Sequence, residues 1–176
     1  MREFILIVAA AVLVIGCRPV DVASQRSGAD APAAPSKDAL KKAAAFILSC
    51  DCGHSVSDPG FPENAKLLAD AGPAIVPVLV EMLADDARST WFVSSAAHRA
   101  STFPFSEPFR DALRRRRDDK RFDQDSGAML GVYEYFAREG DDADLLWMER
   151  SLSRLDDRRN SAAKSVQKLR ERLPRK

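Results

Sequence analysis

The chain has 176 residues, of which 45% are hydrophobic and 30% charged, so it is long enough for one globular domain or at most two. This composition excludes a disordered chain, a collagen-like chain and a polytopic membrane protein. The formal net charge is +1, which argues against a nucleic-acid partner. Three cysteines and two histidines leave little material for a metal centre or a disulfide framework.

The N-terminus has the pattern of an exported protein. Arg2 precedes an uninterrupted apolar run over residues 4–15, which is shorter than the roughly 17–25 residues of a transmembrane helix but typical of a signal peptide. The run ends in Val-Ile-Gly, and Cys17 follows. This motif resembles the lipobox of bacterial lipoproteins, although valine stands where that family more often has leucine. An ordinary signal peptide that happens to precede a cysteine is the alternative.

The resemblance implies that residues 1–16 are removed and that Cys17 carries the lipid, with its sulfur diacylated and its new amino group acylated. Several acyl chains anchor a protein firmly, whereas one chain binds a membrane only marginally. Arg18 follows the cysteine, and in this family a residue other than aspartate there implies sorting to the outer membrane, facing the periplasm. Residues 17–36 are rich in proline and small residues, so we expect a lipid anchor and flexible linker.

From residue 37 to residue 176 the apolar side chains recur at helical spacing. The first such segment has apolar residues at i, i+3, i+4 and i+7, namely Leu40, Ala43, Ala44 and Ile47. There is no strand alternation and no Asn-Gly hairpin turn. Helix N-caps are predicted at four residues: Asp38, Ser106, Ser126 and Asp141. The sequence therefore predicts an all-α domain over residues 37–176, with about seven to eight helices.

Residues 64–84 resemble one unit of a HEAT-like helical repeat, in which a short helix ends at a small turn and an Ala-Val-Pro-x-Leu helix follows. Here Gly72 and Pro73 supply the turn, and Pro77 lies in the apolar helix after it. Each helix pair of such a repeat leaves an apolar face that a neighbouring pair covers. The resemblance implies a short, irregular HEAT-like array, and a plain α-helical bundle is the alternative.

Cys50, Cys52 and His54 form the most unusual local cluster. An exported protein is in an oxidising compartment, and Cys17 is used by the lipid, which favours a disulfide of Cys50 with Cys52. Free thiols or an intermolecular bridge are the alternatives. A zinc site needs further ligands, and Cys-x-Cys is not the common structural spacing, so we predict no metal and no cofactor. A redox role is disfavoured because the pair follows a predicted helix, whose C-terminal dipole destabilises a thiolate.

Two segments are candidates for binding a protein partner. Trp91 and Phe92 begin an aromatic-rich stretch that would suit a groove for a peptide or a glycan. Four arginines fall at i, i+4, i+7 and i+11 on one face of a predicted helix: Arg110, Arg114, Arg117 and Arg121. Guanidinium groups bind carboxylates and phosphates bidentately, so this arginine stripe is a candidate docking surface for an acidic partner or lipid headgroups. Core packing of the aromatic residues and a solvated arginine face neutralised by aspartates are the alternatives.

No sequence motif indicates an enzyme. The chain lacks a Gly-x-Ser-x-Gly elbow, a His-Glu-x-x-His motif, a P-loop and the dinucleotide-binding glycine pattern. We therefore expect a non-enzymatic, membrane-anchored periplasmic lipoprotein that acts as a protein-binding adaptor or scaffold. Its expected partners are the membrane, through the lipid, and a protein. The alternatives are an immunity protein that neutralises a toxin in the periplasm, and a metal or redox protein that uses Cys50, Cys52 and His54.

Overall fold

The computed structural model describes residues 34–49, 58–155 and 158–174, all of which belong to one unit, Ala34–Lys176. The predicted signal peptide, Cys17 and most of the predicted linker lie outside the described residues. So do Cys50, Cys52 and His54. The expectations for these segments therefore stay predictions.

Eight α-helices make up most of the described residues, and no strand occurs among them. The helices are α1 (Lys37–Leu48), α2 (Phe61–Ala71), α3 (Val76–Leu83), α4 (Thr90–Ala100), α5 (Glu107–Arg116), α6 (Ser126–Glu139), α7 (Asp142–Ser151) and α8 (Arg159–Arg172). Short 3-10 turns span Gly72–Ile75, Lys120–Asp123 and Leu152–Arg154. The predicted all-α fold is confirmed. Within these ranges, no helix is both long enough and apolar enough to cross a bilayer.

Polar caps fix where several helices begin. Ser106 and Asp141 cap α5 and α7 with their side chains, as predicted. The predicted cap at Asp38 is wrong, because Ser36 caps α1 and Asp38 lies in the first turn. Ser126 is the first helical residue of α6 rather than its cap. The errors are one or two residues, because a serine or aspartate is equally at home at the cap and in the first turn.

A left-handed glycine joins α2 to α3. Gly72 has a φ of 52°, a conformation that favours glycine because it has no Cβ. Pro73 follows in the 3-10 turn, and Pro77 lies in the first turn of α3, where a backbone N–H is not needed. The α3 helix then buries five of its eight residues. The local arrangement is thus a helix, a tight turn and a buried helix.

Helices that are two apart along the chain pack against each other. One row runs α4, α6, α8, and another runs α1, α3, α5, while α2 packs on α1 and α7 contacts α8. This alternation is what successive helix pairs produce when they stack. The membership in a HEAT-like family stays a prediction.

The α4 and α6 helices approach each other closely at Gly131. A Cβ at Gly131 would lie 2.5 Å from the carbonyl oxygen of Ser94, so a larger residue would push the two helices apart. Phe92 from α4 and Tyr133 from α6 are fully buried in the core around this crossing. The Tyr133 hydroxyl donates to the carbonyl oxygen of Met148 at 2.8 Å and so connects α6 to α7.

Candidate binding groove beside Trp91

A cavity of about 460 Å³ opens where α1, α2, α4 and α6 converge. Its walls are mostly apolar, with Ile47 and Leu48 from α1, Leu68 from α2 and Leu130 from α6. Trp91, near the start of α4, is half-buried and forms one side of the cavity. A volume of this size is within the range of natural ligand sites, roughly 300–1,000 Å³. We call this cavity the Trp91 groove.

Two glycines one turn apart on α6 shape the groove. A Cβ at Gly127 would lie 3.3 Å from the outer edge of the Trp91 ring, so the missing side chain gives the indole room beside α6. Gly131 allows the close approach to α4 described above, and both glycines line the groove. The groove therefore depends on the absence of side chains along this face of α6.

The groove contains polar groups that have no hydrogen-bond partner within the described part of the chain. Ser94 is 8% exposed, yet its hydroxyl pairs with no described residue. The hydroxyl of Ser95 and the indole N–H of Trp91 also lie along the groove without such a partner. None of the three is among the fully buried polar atoms that lack a partner, so each keeps accessible surface in the groove. These three groups can donate hydrogen bonds to something that enters the groove.

Charged side chains form the rim. His98 Nδ1 lies 3.2 Å from a carboxylate oxygen of Glu134, and both side chains are more than half exposed. Arg99 is used internally, because its guanidinium donates to the carbonyl oxygen of Leu68 at 2.9 Å and stacks on the Phe103 ring. Glu134 therefore supplies the accessible negative charge at this rim. Neither groove serine hydrogen-bonds to His98 among the described residues.

The structure separates the two aromatic candidates. Trp91 lies in the groove with part of its ring accessible, whereas Phe92 has no exposed surface and belongs to the core. The prediction that Phe92 contacts a partner is therefore wrong. Adjacent residues on a helix point about 100° apart, so one of the pair faces the interior and the other the groove.

The arginine stripe is not one helical face. The α5 helix ends at Arg116, Arg117 is its C-cap, and Arg121 lies in the separate 3-10 turn Lys120–Asp123. Arg110 is mostly buried and contacts the Phe105 ring. The predicted single helix over all four arginines is therefore wrong.

The α5 arginines instead bind a carboxylate at the start of α7. Asp144 is fully buried and accepts from Arg114 Nε at 2.8 Å, from Arg114 Nη2 at 2.7 Å and from Arg117 Nη1 at 2.7 Å. Asp141 accepts from Arg114 Nη2 at 2.6 Å and forms a reciprocal capping box with Asp144. Arg117 also stacks over the Trp147 ring. We call these residues the α5–α7 clasp.

The titration behaviour agrees with this geometry. The hydrogen bonds that Arg114 donates to Asp144, followed by the one it donates to Asp141, raise the pKa of Arg114 above its ordinary value, although burial opposes them. Burial opposes ionisation of Asp141, but the Arg114 hydrogen bond and the cap N–H groups prevail and lower its pKa. Arg121 lowers the pKa of Asp119 to about 2. Arg114 and Arg117 are thus paired with the buried Asp144, and the more exposed Arg121 is paired with Asp119, which agrees with the alternative of an arginine face neutralised by aspartates. Partner binding by the stripe stays a prediction.

A second cavity, of about 420 Å³, lies between the end of α5 and α7. Its polar groups are largely paired: Trp147 Nε1 donates to Asp118 at 2.8 Å, and Arg154 Nε donates to Asp123 at 2.6 Å. Among the described residues, no group of three or more His, Cys, Asp or Glu side chains is placed to hold a metal ion. The Trp91 groove is therefore the better candidate for binding.

Sequence reasoning located Trp91 but missed Ser94, Ser95 and Glu134. A signal for them was present, because Gly127 and Gly131 are one helical turn apart within an otherwise apolar helix pattern. Comparison of the chain with models of protein families, with curated proteins and with solved structures finds no match. The Trp91 groove and its residues are therefore the basis for inferring what the protein does.

Proposed function

We propose that the protein is a non-enzymatic lipoprotein of the cell envelope whose helical domain binds a protein partner through the Trp91 groove. The observation that carries this proposal is the groove itself, a concave apolar site with unpaired hydrogen-bond donors and a charged rim. An apolar centre within a polar rim is the usual anatomy of a protein interface. Tryptophan is also among the residues most enriched at positions that dominate binding energy.

The anchoring half of the proposal depends on the lipobox resemblance at Cys17. The linker over residues 17–36 would leave the helical domain close to the membrane but free to meet a partner there. The adaptor or scaffold role uses both parts, since the lipid restricts where binding takes place. The arginine stripe has no part in this proposal, because Arg114 and Arg117 are paired in the α5–α7 clasp and Arg121 is paired with Asp119.

The test is site-specific photo-crosslinking of the full-length, acylated chain in intact envelopes. The crosslinking residue replaces Ser95 in the groove, and a control replaces Phe105, which is 49% exposed and does not line the groove. We expect one dominant protein adduct from position 95 and none of the same size from position 105. The Trp91→Ala substitution should abolish the adduct while circular dichroism shows an intact helical fold.

Two crosslinking results would reject the groove as the binding site. An adduct that forms equally from both positions, or that survives Trp91→Ala, would show that the groove does not bind the partner. For the anchor, Cys17→Ala should lose all acylation and release the chain from membranes; a variant that still carries lipid would contradict the lipoprotein assignment. The captured partner also distinguishes the two roles. If it is a toxin, and if deleting this protein harms cells only when that toxin is present, the protein is an immunity protein rather than a scaffold.

A further inference from the structure

The polar groups of the Trp91 groove that lack hydrogen-bond partners indicate the backbone conformation and side chains of the segment that would bind there. We propose that the groove binds an extended peptide segment of the partner, which inserts an apolar side chain and places an adjacent arginine or lysine beside Glu134. This inference rests on the proposed function and specifies the chemistry of the occupant.

The backbone of the occupant is the first consideration. A helical segment has already used its backbone N–H and C=O groups within the helix, so the hydroxyls of Ser94 and Ser95 would stay unpaired against it. An extended segment carries free carbonyl oxygens. These can accept from both hydroxyls and from the Trp91 indole N–H, which have no partner among the described residues. Hydrogen-bond complementarity therefore favours an extended occupant.

The side chains of the occupant follow from the lining and the rim. Leucine and isoleucine side chains from α1, α2 and α6 form the walls, so one apolar side chain fits between them. The negative charge beside this site is the exposed Glu134 carboxylate, which has His98 Nδ1 at 3.2 Å, whereas the Arg99 guanidinium is held in place by the Leu68 carbonyl oxygen and the Phe103 ring. Charge complementarity favours a basic residue next to the apolar one.

The chain offers its own reporter, because it has two tryptophans and only Trp91 lines the groove. The full-length, acylated chain is labelled with 5-fluorotryptophan in detergent micelles and followed by ¹⁹F NMR. Trp147, which is buried in the second cavity region, serves as the internal control. The probes are three capped hexapeptides with glycine at the outer positions and Leu-Arg, Leu-Glu or Gly-Arg at the centre.

We expect the Leu-Arg peptide to shift the Trp91 resonance and leave the Trp147 resonance unchanged. The Leu-Glu peptide should bind about two- to fivefold more weakly, as for loss of an exposed ion pair. Glu134→Gln should remove this difference, whereas the control Glu139→Gln, on the same helix outside the groove, should retain it. The Gly-Arg peptide should not shift Trp91.

A fourth probe tests the backbone conformation. It is a helix-stapled peptide that carries the same leucine and arginine, and we expect it to bind more weakly than the extended peptide. Equal or tighter binding of the stapled peptide would overturn the extended-segment inference, and so would the absence of a Trp91 shift with every probe. The photo-crosslinking result stands apart from both outcomes, so a groove that captures a partner but ignores these peptides would refute only this inference.

Discussion

The α5–α7 clasp makes a quantitative prediction about Asp144. This carboxylate is fully buried, receives three guanidinium hydrogen bonds of 2.7–2.8 Å and accepts from the backbone N–H of Asp141 at 3.1 Å. Asparagine has nearly the same shape but no charge. Its NH₂ group would replace one carboxylate oxygen, so a hydrogen-bond donor would face a guanidinium N–H where an acceptor now lies. Removing one partner of a buried ion pair costs about 3–5 kcal/mol. Arg114 would keep its hydrogen bond to Asp141, whereas Arg117 would lose the one side-chain hydrogen bond that it makes among the described residues.

We therefore expect Asp144→Asn to lower the free energy of unfolding by about 3–5 kcal/mol. That loss corresponds to a fall in Tm of roughly 10 °C for a domain of this size. The measurement is urea unfolding at neutral pH, followed by far-UV circular dichroism, with thermal unfolding alongside. The matched control is Asp111→Asn, which removes a half-exposed carboxylate 3.6 Å from the same Arg114 and should cost at most about 1 kcal/mol.

The comparison between the two variants decides the outcome. If Asp144→Asn loses no more stability than Asp111→Asn, the clasp does not hold α5 to α7 as its geometry indicates. The arginines would then be available to an outside partner after all. A large loss in Asp144→Asn alone supports the assignment of Arg114 and Arg117 to the interior.

Three further predictions concern single groups. Gly131→Ala should destabilise the protein by about 1–3 kcal/mol, because the new methyl group would meet the α4 backbone. Gly127→Ala should change stability by less than about 1 kcal/mol. Equal effects of the two variants in urea unfolding would contradict the close approach of α4 and α6. Tyr133→Phe should lower the free energy of unfolding by about 1 kcal/mol, because its hydrogen bond to Met148 is lost. Tyr135→Phe removes a buried hydroxyl that is unpaired among the described residues, so it should leave stability unchanged or raise it. A larger loss in Tyr135→Phe than in Tyr133→Phe would refute this prediction. The pKa of Asp119 is about 2 in the folded protein against an ordinary value of 3.8. The stability that the ionised Asp119 gives the fold is therefore present above pH 3.8 and is lost as the pH falls toward 2. Asp119→Asn should lose less stability than the parent protein over that interval, and identical pH profiles of the two would disprove the pairing.

The helices could be predicted from the sequence because their signals are local. Apolar residues at 3.6-residue spacing mark the buried face, and capping residues mark the start. Ser106 and Asp141 show how specific such a signal can be, since each caps the helix it was expected to cap. The cap at Ser36 was missed because Asp38, two residues later, carries the same chemistry.

The fate of the arginine stripe could not be predicted, because its partners are distant in sequence. Arg114 binds carboxylates 27 and 30 residues further along the chain. The helical spacing also continued past the real end of α5, where Asp119 caps a separate 3-10 turn. A periodic pattern shows which residues share a face only as long as the helix continues.

The Asp144 carboxylate of the α5–α7 clasp and the Ser94 hydroxyl of the Trp91 groove differ in whether they already have hydrogen-bond partners inside the protein, and this difference indicates which region binds a partner. In the α5–α7 clasp, the buried Asp144 carboxylate is paired on both oxygens, which stabilises the fold and leaves that group nothing to offer a partner. In the Trp91 groove, the hydroxyl of Ser94 has no partner within the described chain, yet it is not among the fully buried atoms that lack one, so it stays accessible from the groove. A partner that enters the groove can therefore accept a hydrogen bond from this hydroxyl without breaking one inside the protein. The Asp144 carboxylate could bind a partner only by giving up hydrogen bonds that it already accepts, so the groove rather than the clasp is where a partner should be sought.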